Sequence, residues 1–232
     1  MPRALLIAAA FFLLSIPLSG PASAQTRVDL ELILLADGSG SVDDVEFSLQ
    51  RLGTARALRH PRVVRAIQSG FLGRIALTYV EWSGPELHIP VVPWTLLRTP
   101  ADVEAFAAKL ETHPRELYGG GTAIGDAILH GVESLQGNAF EARRRVIDIS
   151  GDGPDRNGLP AAVGRDEAVK QGITVNGLPI LEGRFGLDEF FRTNVIGGRG
   201  AFVIPARTFA DFETAIRVKL IREIASLPHA TP

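Results

Sequence analysis

The 232-residue sequence predicts an α/β fold, a doubly wound, mostly parallel central sheet flanked by helices, with one antiparallel strand at its edge. Three observations carry that expectation. Strand-like apolar runs alternate with segments whose apolar residues recur at helical spacing along nearly the whole chain. The run Leu32, Ile33, Leu34, Leu35, Ala36 is apolar on consecutive residues, as a strand covered by helices on both faces requires. Residues 74–82 and 87–92 are joined by Ser83, Gly84 and Pro85, a hairpin connection, and Pro90 suits an edge strand because it brings no N–H to a ladder.

Taken in order, residues 1–24 read as a secretory signal: Arg3 supplies the positive start, residues 4–14 the apolar stretch, and Ala22-Ser23-Ala24 the small-residue cleavage site. That leaves residues 25–232 as a single domain. The first strand spans 28–36. Val45, Leu49, Leu52 and Ala55 then mark a helix that Asp43 or Asp44 can cap, since a side-chain oxygen can accept from the unpaired first amides. After the hairpin, a helix opens behind Thr99 over 100–110. The loop Gly119-Gly120-Gly121-Thr122 leads into a helix with Ile124, Ile128, Val132 and Leu135 on one face. A strand over 145–150 ends in Gly151-Asp152-Gly153-Pro154. Residues 159–171 are predicted as helix, 173–180 as strand, 187–193 as a short helix and 201–204 as the last strand. Phe212, Ile216, Leu220 and Ile224 mark a closing helix.

Composition narrows the functional classes. The formal net charge is −2, and removal of the signal, which carries Arg3 and no acidic residue, makes it −3. Neither a nucleic-acid footprint nor a polybasic membrane patch follows from that balance. No segment after the signal approaches the roughly 20 apolar residues of a membrane helix, so the expectation is an exported protein, periplasmic or secreted, without a span in its mature part. There is no cysteine, hence no thiolate metal site, no cysteine nucleophile and no disulfide.

The chemistry concentrates at strand ends. Asp37-Gly38-Ser39-Gly40-Ser41 leaves the first strand through a turn that glycine permits, bringing one carboxylate and two hydroxyls toward one point, a cradle for a hard cation. In open parallel sheets ligands sit beyond the carboxyl ends of the strands. Asp152 follows the strand over 146–149, and Thr122 precedes the helix that begins at Ile124, so both belong to that same edge.

D-x-S-x-S, then a threonine in a glycine-flanked loop, then an aspartate after an apolar strand resembles the metal-ion-dependent adhesion site of von Willebrand factor type A (vWA) domains. The resemblance runs over residues 28–224, and it is closest to secreted bacterial proteins of that type, which Tyr79-Val80-Glu81-Trp82-Ser83 and Val195-Ile196-Gly197-Gly198 are also similar to. It implies that Ser39 and Ser41 ligate a metal directly, Thr122 directly or through water, and Asp37 and Asp152 mainly through water or hydrogen bonds to the hydroxyl ligands. The implied ion is Mg²⁺, with Mn²⁺ or Ca²⁺ as alternatives. The implied partner is a protein presenting an Asp or Glu carboxylate to the open coordination position, with no catalysis. Two departures stand out. Asp152 sits in Ser-Gly-Asp-Gly where many family members have Thr-Asp-Gly. Asp43 and Asp44 lie near, but out of register with, a second cation site of some integrin domains, and are read as helix caps.

Other readings stay open at this level. A doubly wound sheet with aspartates at its carboxyl edge also describes metal-dependent hydrolases such as phosphoesterases, and a scaffold with an unused site has the same sequence pattern. Ser39 lacks the G-x-S-x-G context of a nucleophile elbow, Asp37 does not open D-x-D-x-T, and the Gly119–Gly121 run is not followed by a phosphate-loop signature. The five histidines show no zinc-ligand spacing and are expected in packing or surface roles. Glu81 and Asp148, inside apolar strands, need a strand end, an edge or a basic partner such as Arg144, or else support the metal loop. Trp82 and Trp94 are expected to pack against a helix or to form a contact patch. Arg143-Arg144-Arg145 reads as a solvated loop.

Overall fold

An unbroken apolar run has to be covered on both sides, and in the computed structural model β2 (Glu31–Asp37) is buried at every position. The structure describes residues 25–225; the segment 1–24, expected to be a secretory signal, lies outside the described residues. β2 is the middle of a five-stranded sheet of order β4-β3-β2-β6-β7, formed with β3 (Ile75–Trp82), β4 (His88–Leu97), β6 (Arg145–Gly151) and β7 (Thr174–Pro179). All neighbours pair in parallel except β3 and β4, the expected antiparallel edge hairpin.

Side chains alternate across β2. Leu32, Leu34 and Ala36 enter one core with Phe106, Phe212, Ile216 and Leu220, while Ile33 and Leu35 enter the other with Ile128, Ile147, Ile149 and Phe191. The first core lies under α1 (Asp44–Arg59), α2 (Pro61–Gln68), α3 (Pro100–Thr112) and α7 (Phe212–Ala225). The second lies under α4 (Ile124–Gln136), α5 (Ala161–Lys170) and α6 (Leu187–Phe190). Helices on both faces make the sheet doubly wound, as expected. No helix among the described residues is long and apolar enough to cross a membrane.

Several elements differ from the expectation. The first strand is broken at Asp29, whose carboxylate accepts from the amides of Leu72 (2.8 Å) and Arg74 (3.2 Å). The residues before it form β1 (Thr26–Val28), which pairs with β5 (Phe140–Ala142) in a separate two-stranded ribbon. α2 is additional: Pro61 sits in its first turn and the His60 ring accepts from the Arg62 amide. The buried face of α1 is only partly the predicted one, for Ala55 is buried and Leu49 packs against the core, but the face is turned toward other residues as well. Val45 is exposed, and Phe47, Gln50, Arg51, Thr54, Ala55 and Leu58 face inward, because this helix must deliver polar groups to the sheet edge. The short helix after Gly186 continues as a π turn over Phe191–Val195. Residues 201–204 make a single isolated bridge to β7, Val203 with Gly177, and Ala206, beyond them, bridges Ile180 just past the end of that strand. There the Phe202 amide is taken by the Asn176 side chain (3.0 Å), and Pro205 has no amide to give.

Candidate metal centre

The candidate residues converge at the carboxyl ends of β2 and β6. Asp37, the last residue of β2, accepts the Ser39 amide on Oδ1 at 2.7 Å, which closes the turn on itself. Its Oδ2 faces the Asp152 amide at 3.4 Å. The Ser39 and Ser41 hydroxyls lie 3.2 Å apart, and the Ser41 hydroxyl donates to Asp152 Oδ1 at 2.7 Å. Asp37, Ser39 and Asp152 are buried, whereas Ser41 is exposed, so the cluster opens to solvent on the Ser41 side.

The helices and neighbouring strands hold this turn in place. The Gln50 side chain, from the buried face of α1, donates to the Asp37 carbonyl at 3.1 Å, and the Gly38 amide donates to the Trp82 carbonyl at the end of β3. Arg51, one residue on, grips Glu81 of β3 through two guanidinium contacts of 2.6 and 3.0 Å. It also donates to the carbonyls of His113 and Pro114, fixing the segment that leads to the glycine loop. Glu81 therefore has a basic partner, Arg51 rather than Arg144. Arg144 is half-buried and donates to the Glu223 carbonyl, while Arg145 donates to the Gln171 carbonyl, so these two arginines tie the sheet to its helices rather than lying in solvent.

Thr122 is buried in the adjoining loop. Gly119, Gly120 and Gly121 all adopt positive φ (142°, 108° and 95°), and a Cβ on Gly84 would come within 2.3 Å of the Gly120 carbonyl oxygen, so the loop is possible only with glycine on both sides of the contact. The Ser83 hydroxyl donates to the Gly119 and Gly121 carbonyls. The Thr122 amide donates to Asn157 Oδ1 at 2.8 Å, and its carbonyl accepts the Arg156 amide at 2.9 Å. Asp155 accepts from the amides of Ile124 and Ala161, tying the first turns of α4 and α5 to the loop that carries Asp152. Thr122 is thus knitted to the Asp152 loop by its backbone. The hydrogen bonds that join Asp37, Ser39, Ser41 and Asp152 do not include its side chain.

The electrostatics of the cluster favour a cation. Burial first, and the Asp152 charge second, push the Asp37 carboxyl up to about 7, against hydrogen bonds from Ser39 that favour its ionised form. Two buried carboxylates this close call for positive charge. Part of it comes from a residue that sequence reasoning missed: Arg184 Nη2 lies 2.8 Å from Asp152 Oδ2. Among the described residues no three His, Cys, Asp or Glu side chains converge as a metal-ligand group, so the cluster is a mixed set of two carboxylates and hydroxyls. Such hard oxygen donors fit Mg²⁺, Mn²⁺ or Ca²⁺ better than a thiophilic ion.

The remaining candidates have packing roles. His88 and His130 stack with ring centroids 4.5 Å apart, and burial lowers both, His88 to about 4. Trp82 lies in the core, and Trp94 donates to the Ser134 hydroxyl of α4. Asp43 caps α1 in a reciprocal capping box with Glu46. Asp148 pairs with Lys219 of α7.

Solved structures share this fold at low identity. Proximal thread matrix protein 1 from the mussel byssus, with a zinc-occupied MIDAS motif, is 16% identical with a TM-score of 0.60, over 87% of this chain and 49% of its own. The von Willebrand factor type A protein of Catenulispora acidiphila is 18% identical, with a TM-score of 0.59, over 85% and 43%. The vWF domain of the type V pili tip protein of Porphyromonas gingivalis is 10% identical with a TM-score of 0.59, over 88% and 98%. The chain thus spans about half the length of the mussel protein, and nearly all of the pili tip domain. No curated protein sequence matches it. A family model matches residues 27–228, and the chain, which shares the fold of these vWA structures, belongs to the family described as "Protein of unknown function (DUF1194)".

Proposed function

We propose that this protein is an exported vWA-type binding module whose Asp37, Ser39, Ser41, Thr122 and Asp152 hold a divalent cation, Mg²⁺ in the first instance, and use it to capture an acidic side chain of a protein partner. The observation that carries the reading is the hydrogen-bonded cluster of Asp37, Ser39, Ser41 and Asp152, assembled from two strand ends and opening to solvent at Ser41. The bound ion would offset the two carboxylates and offer its Lewis acidity to an incoming carboxylate. This chain's own residues do the positioning: Gln50 fixes the Asp37 backbone, and the Gly119–Gly121 loop and Asn157 fix Thr122. The neighbours support a binding role rather than turnover, since they include a matrix protein and a pili tip protein, and these also favour export.

Calorimetric titration with Mg²⁺ and Mn²⁺, beside an Asp37→Ala/Ser39→Ala double variant, tests the reading. Saturable binding by the wild type and none by a folded double variant is the expected result. Equal binding by both would overturn the assignment, and metal-dependent turnover of phosphoesters that disappears in the double variant would replace it with a hydrolase.

A further inference from the structure

Asp152 divides its two carboxylate oxygens between partners of different kinds. Oδ1 accepts the Ser41 hydroxyl, and Oδ2 faces a cation that the fold itself supplies, the Arg184 guanidinium at 2.8 Å. Arg184 reaches the site from the loop after β7. That loop is held firmly, with the Leu181 amide on the Ala206 carbonyl, the Glu182 amide on the Arg207 carbonyl, and Glu182 Oε2 accepting the Phe209 amide at 3.0 Å. Glu182 adopts a φ of +35°, the only non-glycine residue among those described with positive φ. A side chain in this region costs backbone energy, and it persists where the surroundings over-determine it. What the strained turn achieves is to bring the next arginine over Asp152. The Arg184 side chain is 36% exposed and the Asp152 side chain 3%, so the guanidinium sits at the mouth and the carboxylate beneath it.

We propose that Arg184 is a built-in counter-cation of this site, which neutralises Asp152 while no metal is bound and thereby sets how tightly a divalent ion is held. The inference rests on the reading of the cluster as a metal centre. A buried carboxylate pair without positive charge is costly, and Arg184 removes part of that cost before any metal arrives. A divalent ion entering the same cluster must then share Asp152 with the guanidinium and meet its repulsion at short range. The metal-free state is stabilised and the loaded state is not, so the affinity for metal falls. The mussel neighbour shows that an ion can occupy the motif in this fold, and the Arg184 contact is a property of this chain's own loop.

The test uses the purified chain, Mn²⁺ alone as the probe, and Arg184→Gln and Arg184→Lys beside the wild type. Calorimetry should show Arg184→Gln binding Mn²⁺ roughly three- to tenfold more tightly, with Arg184→Lys, which keeps the charge, near the wild type. Thermal melting supplies a readout that a merely structural role would not produce. In chelator Arg184→Gln should melt below the wild type, and saturating Mn²⁺ should close the gap. Equal or weaker Mn²⁺ binding by Arg184→Gln, or a melting deficit of the same size with and without Mn²⁺, would overturn the role of Arg184 and leave the metal centre standing. No Mn²⁺ binding by any of the three proteins would overturn both.

Discussion

Lys219 has no exposed surface, and its ammonium lies 2.7 Å from both Asp148 and Glu223, themselves buried, with Asn176 donating to Glu223 at 2.8 Å. One cation faces two carboxylates, so full ionisation would leave an excess negative charge in the core. A proton on Asp148 resolves this: burial and the Glu223 charge push its carboxyl up to about 8, with Lys219 opposing. The sign follows from linkage. Because the folded value lies above the unfolded one, the stabilisation is fully present below the ordinary aspartate range and is lost as pH rises toward 8. Denaturant midpoints measured in chelator from pH 5 to 9 should therefore fall with pH, and Asp148→Asn, which cannot ionise, should flatten that slope. An unchanged slope would place the pH dependence elsewhere. Asp148 was legible as a buried acid in need of a base, but its partner was not, because Lys219 lies 71 positions on in a helix whose sequence signal is the spacing of its apolar residues.

At the scale of elements, α4 and α5 approach so closely that a Cβ on Gly164 would stand 2.4 Å from the Gly125 carbonyl oxygen. Alanine is the better helix former by roughly 1 kcal/mol, yet here the backbone contact decides the outcome. Gly164→Ala should destabilise the fold by about 1–3 kcal/mol, read as a lower denaturant midpoint, whereas a gain in stability would mean that the helices separate freely. Strands were legible where an apolar run ended in a turn: β2, β3, β6 and β7 all fall within a few residues of expectation. α2 was missed because it follows α1 almost without a gap, although Pro61 followed by Val63, Ala66 and Ile67 marks a new start at helical spacing. Residues 201–204 have strand composition, but the Asn176 side chain and Pro205 between them remove the ladder. Of the cluster, Asp37, Ser39, Ser41 and Asp152 could be read because each follows an apolar strand. Gln50, Asn157 and Arg184 could not, since their roles exist only where distant loops meet.

For the molecule as a whole, β2 is the strand on which both cores rest, and Asp37 is its last residue. A ligand held at that end is bound only by the folded chain, since unfolding separates Asp37 from Asp152 by 115 positions of free backbone. Binding energy at the site must then appear as stability of the entire domain. At a Mn²⁺ concentration one hundredfold above the dissociation constant the gain is about 2.7 kcal/mol, which for a domain of this length corresponds to a rise in melting temperature of roughly 5–10 °C. The Asp37→Ala/Ser39→Ala variant should melt at the same temperature with Mn²⁺ as with chelator. A Mn²⁺-induced rise of equal size in both proteins would mean that the ion stabilises the fold from somewhere other than this sheet edge, and the carboxyl ends of β2 and β6 would lose their claim to be its binding site.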